Sequence, residues 1–308
     1  MSTDSNAYGT ALGPAISRTS GAIQTEYGVL LPPATNVAAY VNSGGMSDQD
    51  DEFIRNRLAY TLDEGLKRCR PGKGDVVYVL PTHTENIDAA DKMSSLVAGT
   101  RIIGMGSGNR RPKLTWTLAT GTFLFDVADV QLSNFILEMA PAANAGVTVA
   151  APITVSAAGC SINNCRIMFG ADVNDIVTIG VTTTAAADDF DFSNNRCYGA
   201  TAAECTTFLR LVGADRFTMY NTVILGATGS TTVGVMQMLT TLSADVDIEN
   251  CSFANRKAAS VHAATGMAAA TGSVRNCSFG ILDDTTLPGF ETEGNLQFFN
   301  CQTVNLAG

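Results

Sequence analysis

The chain has 308 residues, 45% of them apolar and only 16% charged, and its 19 Lys and Arg stand against 29 Asp and Glu for a formal net charge of -10. That balance argues against a nucleic-acid partner, which needs a concentrated basic surface; the one local basic cluster, Arg110, Arg111 and Lys113, is too small to supply it. No apolar run is long enough to span a membrane, residues 1–21 lack the basic and apolar regions of a secretory signal, and eight cysteines without C-x-x-C spacing beside two histidines make no zinc pattern. A soluble protein not exported by its own sequence, with no metal and no cofactor, is therefore expected.

Residues 1–46 are rich in Ser, Thr, Ala, Gly, Asn and Pro and hold no long apolar period, so they read as an extended arm held by contacts with a partner chain. Residues 47–71 read as a capping helix. Ser47 offers an N-cap, Asp48, Asp50, Asp51 and Glu52 suit the positive end of a helix dipole, and Ile54, Leu58, Leu62, Leu66 and Cys69 make one apolar stripe ended by Pro71 and Gly72. The acidic run lacks the glycine and the spacing of a calcium loop. An amphipathic helix here would cover the open end of whatever sheet follows.

From residue 72 onward the chain is read as one body. Gly74–Leu80 and Thr100–Gly104 are short apolar strands. Gly104, Gly106 and Gly108 resemble a dinucleotide loop only in spacing, since NRRPKLTW follows in place of a helix. The pattern then becomes periodic. Val130, Leu132, Asn134, Phe135 and Leu137 begin a series whose asparagines recur as Asn164, Asn194, Asn221, Asn250, Asn276 and Asn300, 24 to 30 residues apart. Two residues before each stand Leu132, Ile162, Phe192, Met219, Ile248, Val274 and Phe298, with mostly polar residues between, which is the alternation of a half-buried strand.

The apolar phase resets after each asparagine, to one and three residues beyond it. A residue that tolerates the left-handed region turns a strand sharply there without glycine. A strand, a one-residue corner and another strand, repeated at this interval, describe a solenoid whose asparagines stack into a hydrogen-bonded ladder inside the bends. Cys165, Cys251, Cys277 and Cys301 fall just after corners, at an inward position, and are read as buried free thiols. The surplus residues of each coil leave as loops rich in Ala, Thr and Gly.

These corners resemble those of the right-handed parallel β-helices of pectin-lyase-like type, over about residues 72–305. The resemblance implies an all-β solenoid of about nine coils spanning 72–308, behind the capping helix and the arm. It is silent on activity, because that solenoid carries lyases, glycosidases, adhesins and phage virion proteins alike. An enzyme would need paired carboxylates; Asp188 with Asp189 and Asp283 with Asp284 are the candidates, and His83 beside Glu85 is the only histidine near an acid. Adjacent loop acids tend to point apart, a lone loop histidine is usually just exposed, and Trp116, Tyr220 and Phe299 are few for a sugar platform. No catalytic residue is assigned.

The layout of arm, helix and GDVVYVLPTHTE opening the stack resembles β-helix proteins of tailed-phage particles. That resemblance implies a non-enzymatic virion protein: a capsid decoration protein, head fibre or short spike, assembled in the host cytoplasm. It also implies a homotrimer bound through residues 1–46 to a major capsid protein or another virion protein. The alternative is a polysaccharide-binding or polysaccharide-cleaving β-helix of the tailspike or lyase kind.

Overall fold

A computed structural model describes residues 37–44, 56–139, 148–169, 176–199, 205–228, 233–239, 243–256, 263–266, 270–281 and 295–305, and the backbone of three short strands between 16 and 31. All seven corner asparagines stand at positive φ, from 49° at Asn221 to 65° at Asn134. Each corner joins two strands that pair, in parallel, with their counterparts in the coils on either side.

Before the corner lies a first face. It runs through Val37–Val41, Val76–Val79, Arg101–Gly104, Gln131–Ser133 and Ser161–Asn163, continues through a bridge at Asp191, and resumes at Thr218–Tyr220, Ser243–Glu249, Ala270–Arg275 and Asn295–Phe299. After the corner lies a second face of nine strands, from Thr84–Ile87 to Gln302–Asn305. A third face has six: Phe123–Phe125, Ile153–Val155, Ile179–Thr183, Thr207–Leu211, Met236–Met238 and Ala264–Thr265. Among the described residues nine rungs are thus present on the second face, and six coils carry all three sides. The fold is a parallel β-helix.

The third face is absent from the strand, corner, strand pattern of the sequence. Its segments sit at no fixed distance from the asparagine, because the connections preceding them differ in length, and two of them, Ile179–Thr183 in part and Ala264–Thr265, fall in the stretches 181–189 and 255–270 that read as loops. Structure there is set by pairing with the coil beside it, Val181 with Ile153 and Leu209.

The core is the inward column of every coil. Leu132, Ile162, Phe192, Met219, Ile248 and Val274 are all buried in one file, and Val130, Cys160, Phe190, Phe217 and Val246 in another. Rings also stack within the core, Phe253 on its equivalent Phe279 of the next coil at 5.1 Å and Phe169 of the second face on Phe208 of the third at 4.6 Å, near the separations such rings prefer.

The N-terminal end departs from expectation in two ways. Val37–Val41 is a strand of the first face, beside Val76–Val79, so the boundary between arm and solenoid falls near residue 36 rather than 46. Upstream, Ile16–Thr19, Ala22–Thr25 and Leu30–Leu31 pair antiparallel. The helical stripe is also interrupted. Leu58 and Ala59 form a strand on the outer edge of Val37–Val41, and the described helix is only Leu62–Leu66. Edge pairing explains the change: Tyr40 and Asn42 donate their N–H groups to Arg57 O and Ala59 O, satisfying a strand edge that a helix would leave open.

The described helix is capped by Thr61, whose side chain accepts from the Glu64 N–H while the Glu64 carboxylate accepts from the Thr61 N–H. Leu62, Gly65 and Leu66 face the first coil. A Cβ at Gly65 would lie 2.9 Å from Val41 Cγ2, so only glycine allows this approach. The N-cap expected at Ser47 and the apolar Ile54 lie outside the described residues.

Candidate functional site

Three columns of residues run along the stack, and together they account for most of the polar chemistry. The outermost is the asparagine corner. Asn164 donates to Asn134 Oδ1 at 3.2 Å, Asn221 to Asn194 Oδ1 at 3.1 Å and Asn300 to Asn276 Oδ1 at 2.8 Å, while Asn134 donates to the carbonyls of Gly104 and Gly106. These residues are not enclosed within the bends. Asn134 is half-buried and the other six are exposed, because a left-handed residue on an outer corner directs its side chain along the rim of the stack.

Just inside it lies a second ladder, built at the residue after each corner. The N–H of Cys165 donates to Asn195 Oδ1 at 2.9 Å, that of Asn195 to Thr222 Oγ1 at 3.2 Å, and that of Cys251 to Cys277 Sγ at 3.4 Å. The same side chains donate backward to carbonyls of the preceding coil, Asn195 Nδ2 to Ile162 O at 2.7 Å, Thr222 Oγ1 to Phe192 O at 3.1 Å and Cys277 Sγ to Ile248 O at 3.9 Å. Asn195 and Thr222 are fully buried. The corner displaces these N–H groups from the sheet, and a buried donor needs a partner. Cysteine, threonine and asparagine here share one property, a compact side chain that both accepts and donates. All eight cysteines are free, and burial pushes Cys69 up to about 11 and Cys165 up to about 12.

A third column stands five residues before the asparagines: Gly99, Asp129, Gly159, Asp189, Arg216 and Asp245, all at positive φ. Each of the first five donates its N–H to a carbonyl of the next coil, as Asp189 does to Asp215 O and Arg216 to Ala244 O. The acid pair that the sequence offered for catalysis sits here. Asp189 is held in a two-point pair by Arg216 of the next coil, at 2.6 and 2.9 Å, and Asp188 stands 3.6 Å from the same guanidinium and accepts the Asp215 N–H. Arg216 keeps the Asp189 carboxyl below the usual carboxylate range. The pair therefore ties coil to coil. Arg275 likewise spans Asp247 and Glu249 on the first face. Asp283 and Asp284 lie outside the described residues.

His83 is not an exposed loop residue. It is fully buried, its Nδ1 accepts the Ser43 N–H at 2.9 Å, and its Nε2 lies 3.2 Å from Glu85 Oε2, which also accepts the Leu62 N–H. With Nδ1 accepting, the ring proton sits on Nε2 and faces the carboxylate. The trio fastens the N-terminal strand and helix to the first coil. Trp116 is fully buried and donates to Pro152 O, so it is core rather than a sugar platform. Tyr220 and Phe299 are exposed at the two ends of one row across the first face, with Glu249 and Arg275 between them.

What remains is a groove at the corner column. The Gly104–Arg111 segment takes the place of an asparagine corner and folds over the next coils. Gly104 permits this, since a Cβ there would lie 2.4 Å from Asn134 O. Beneath the segment, Asn109, Arg111, Asn164, Arg166, Arg196 and Tyr198 border a space of about 300 Å³.

No family model and no curated protein matches this chain. Among solved structures, a pectin methylesterase in complex with a hexasaccharide is similar at 13% identity and a TM-score of 0.43, over 88% of this chain and 80% of its own. A Geobacillus virus E2 protein, ORF18, is similar at 10% identity and a TM-score of 0.31, over 92% and 68%. A tailspike of Acinetobacter baumannii bacteriophage Fri1, a capsular polysaccharide depolymerase, is similar at 11% identity and a TM-score of 0.31; this chain covers 61% of it.

Proposed function

We propose that the protein is a structural, non-catalytic component of a tailed-bacteriophage particle, a decoration protein, head fibre or short spike that projects its β-helix outward as a homotrimer. The observation that carries the non-catalytic part is the use of its acids. Asp188 and Asp189, one of the two acid pairs that the sequence offers for acid and base work, are engaged by Arg216 of the next coil and serve to hold the stack, as Asp247 and Glu249 do through Arg275. A long parallel stack closed by side-chain ladders suits a durable surface element. The arrangement of an N-terminal segment, a capping helix and the opening strand Val76–Val79 supports the phage reading by its resemblance to particle-borne β-helices. Residues 1–36 are the part left for attachment to a capsid or tail protein, since Val37–Val41 already belongs to the body.

Two measurements test this reading. Mass spectrometry of particles purified from the phage or prophage that encodes the chain should find it in stoichiometric amount, and light scattering of the purified protein should give three times the 32.2 kDa chain mass. Deleting residues 1–36 should leave a folded β-helix by circular dichroism that no longer sediments with particles. Absence from purified particles, or release of new reducing ends from polysaccharides by the purified protein, would overturn it in favour of a saccharide-cleaving enzyme.

A further inference from the structure

The groove under the Gly104–Arg111 segment holds positive charge that no described carboxylate neutralises. Arg166 and Arg196 occupy paired positions in adjacent strands of the second face, so their side chains leave the sheet about 4.8 Å apart. Arg111 reaches the same place from two coils earlier, its Nη1 donating to Asn164 O at 2.9 Å. Among the described residues none of the three forms an ion pair, whereas Arg70, Arg216 and Arg275 all do. Arg166 meets only the neutral amide of Asn109, at 3.3 Å, and Arg111 Nε is buried without a partner. On a chain with ten surplus negative charges, carboxylates abound, yet among the described residues none borders this space. Farther along the same row the positions hold Val223, Ser252 and Ser278, so the charge is confined to these rungs.

We propose that Arg111, Arg166 and Arg196 form a binding site for oxyanion groups, carboxylate or sulfate, with Asn109 and the Tyr198 side chain at its border. A guanidinium presents a planar fork that matches either group in two-point fashion, and its strength is greatest where it has no competing partner. Two such forks one rung apart suit a ligand with two charges. The ligand is either a free small oxyanion or an acidic saccharide, whose hydroxyls the asparagine amides can meet as donors and acceptors.

The test is calorimetric titration of the full-length protein, at fixed low ionic strength, with sodium sulfate and separately with tri-galacturonate. Arg166→Gln and Arg196→Gln are the site variants, and Arg101→Gln, an exposed arginine on the first face, controls for bulk charge. Saturable binding of at least one probe is expected, weakened about tenfold by each site variant and unchanged by Arg101→Gln. Arg166→Lys should recover part of the loss only, because it restores charge without the fork. Equal affinity for the two probes assigns the site to free oxyanions, and tenfold tighter binding of the saccharide assigns it to acidic glycans; both sustain the proposal. No saturable binding of either probe, or equal weakening by all three glutamine variants, overturns it.

Discussion

Asn195 is the residue on which the inner ladder can be tested most directly, because one side chain there makes two contacts with the preceding coil. Asn195→Ala removes the acceptor of the Cys165 N–H and the donor to Ile162 O, both in fully buried surroundings. Leaving a buried N–H unpaired costs about 1–3 kcal/mol and the loss of a further neutral hydrogen bond about 1 kcal/mol, so a destabilisation of about 2–4 kcal/mol is expected. The sequence itself supplies the control. Thr222 fills the equivalent position one coil on, with its Oγ1 accepting the Asn195 N–H. Asn195→Thr should therefore keep the Cys165 N–H satisfied and, as Thr222 Oγ1 does toward Phe192 O, still reach Ile162 O, so that it costs at most about 1 kcal/mol. Urea unfolding followed by far-ultraviolet circular dichroism gives the midpoint shift, scaled by the parent slope. If alanine and threonine were equally damaging, or if alanine were harmless, these contacts would not be what holds the corner, and the ladder argument would fail.

At the outer corner, Asn221→Ala places a Cβ-bearing residue without a side-chain amide at φ 49° and should cost about 1–3 kcal/mol, with Asn221→Gly distinctly milder by the same assay, since glycine tolerates that region. Arg216 stands at φ 56°, so Arg216→Gly should unfold at higher urea than Arg216→Ala although both lose the pair to Asp189; the reverse order would show that the ion pair outweighs backbone strain. The bidentate Arg70 guanidinium holds the Asp75 carboxyl below the usual carboxylate range. A depressed folded value means that stability is fully present above about pH 4, the unfolded value, and is lost as pH falls through the folded one. Asp75→Asn should accordingly be less stable than the parent at pH 7, with the gap closing toward pH 3. Native protein at pH 8 should react slowly with a thiol reagent except at half-exposed Cys301, and all eight thiols should appear on denaturation; a rapid early phase of several thiols would contradict the burial of this column.

How far these features were legible depends on how narrowly each position constrains its residue. The asparagine corner was readable because a left-handed corner admits few residue types, and here it admits one, seven times over. The column five residues earlier has the same backbone, yet Gly99, Asp129, Gly159, Asp189, Arg216 and Asp245 divide among three residue types, so the conformation repeats through the stack without one residue to mark it. The post-corner cysteines were readable as inward but not as ladder members, since their acceptor and donor roles emerge only beside Asn195 and Thr222 in the same file. Leu58 read as helical because its spacing to Leu62 and Leu66 is helical; the open edge of Val37–Val41, invisible in sequence, drew it into a strand.

The arginine groove shows why a solenoid hides sites of this kind. Arg110, Arg111 and Lys113 form a minor cluster along the chain, while Arg166 and Arg196 are isolated residues more than fifty positions later. A coil length near 30 residues places Arg166 and Arg196 on neighbouring rungs, and a loop that replaces one corner carries Arg111 across two coils to join them. Lys113 is drawn instead to Glu138, and Arg110 N–H and C=O serve the loop itself, donating to Ser107 O and accepting from the Thr82 N–H. The local cluster is thereby taken apart and a different one assembled from residues distant in sequence. In a fold where every residue's neighbours lie one coil away, charge must be counted down columns, and it is the column through Arg166 and Arg196, bounded by neutral rungs, that makes the groove a site rather than part of a uniformly basic face.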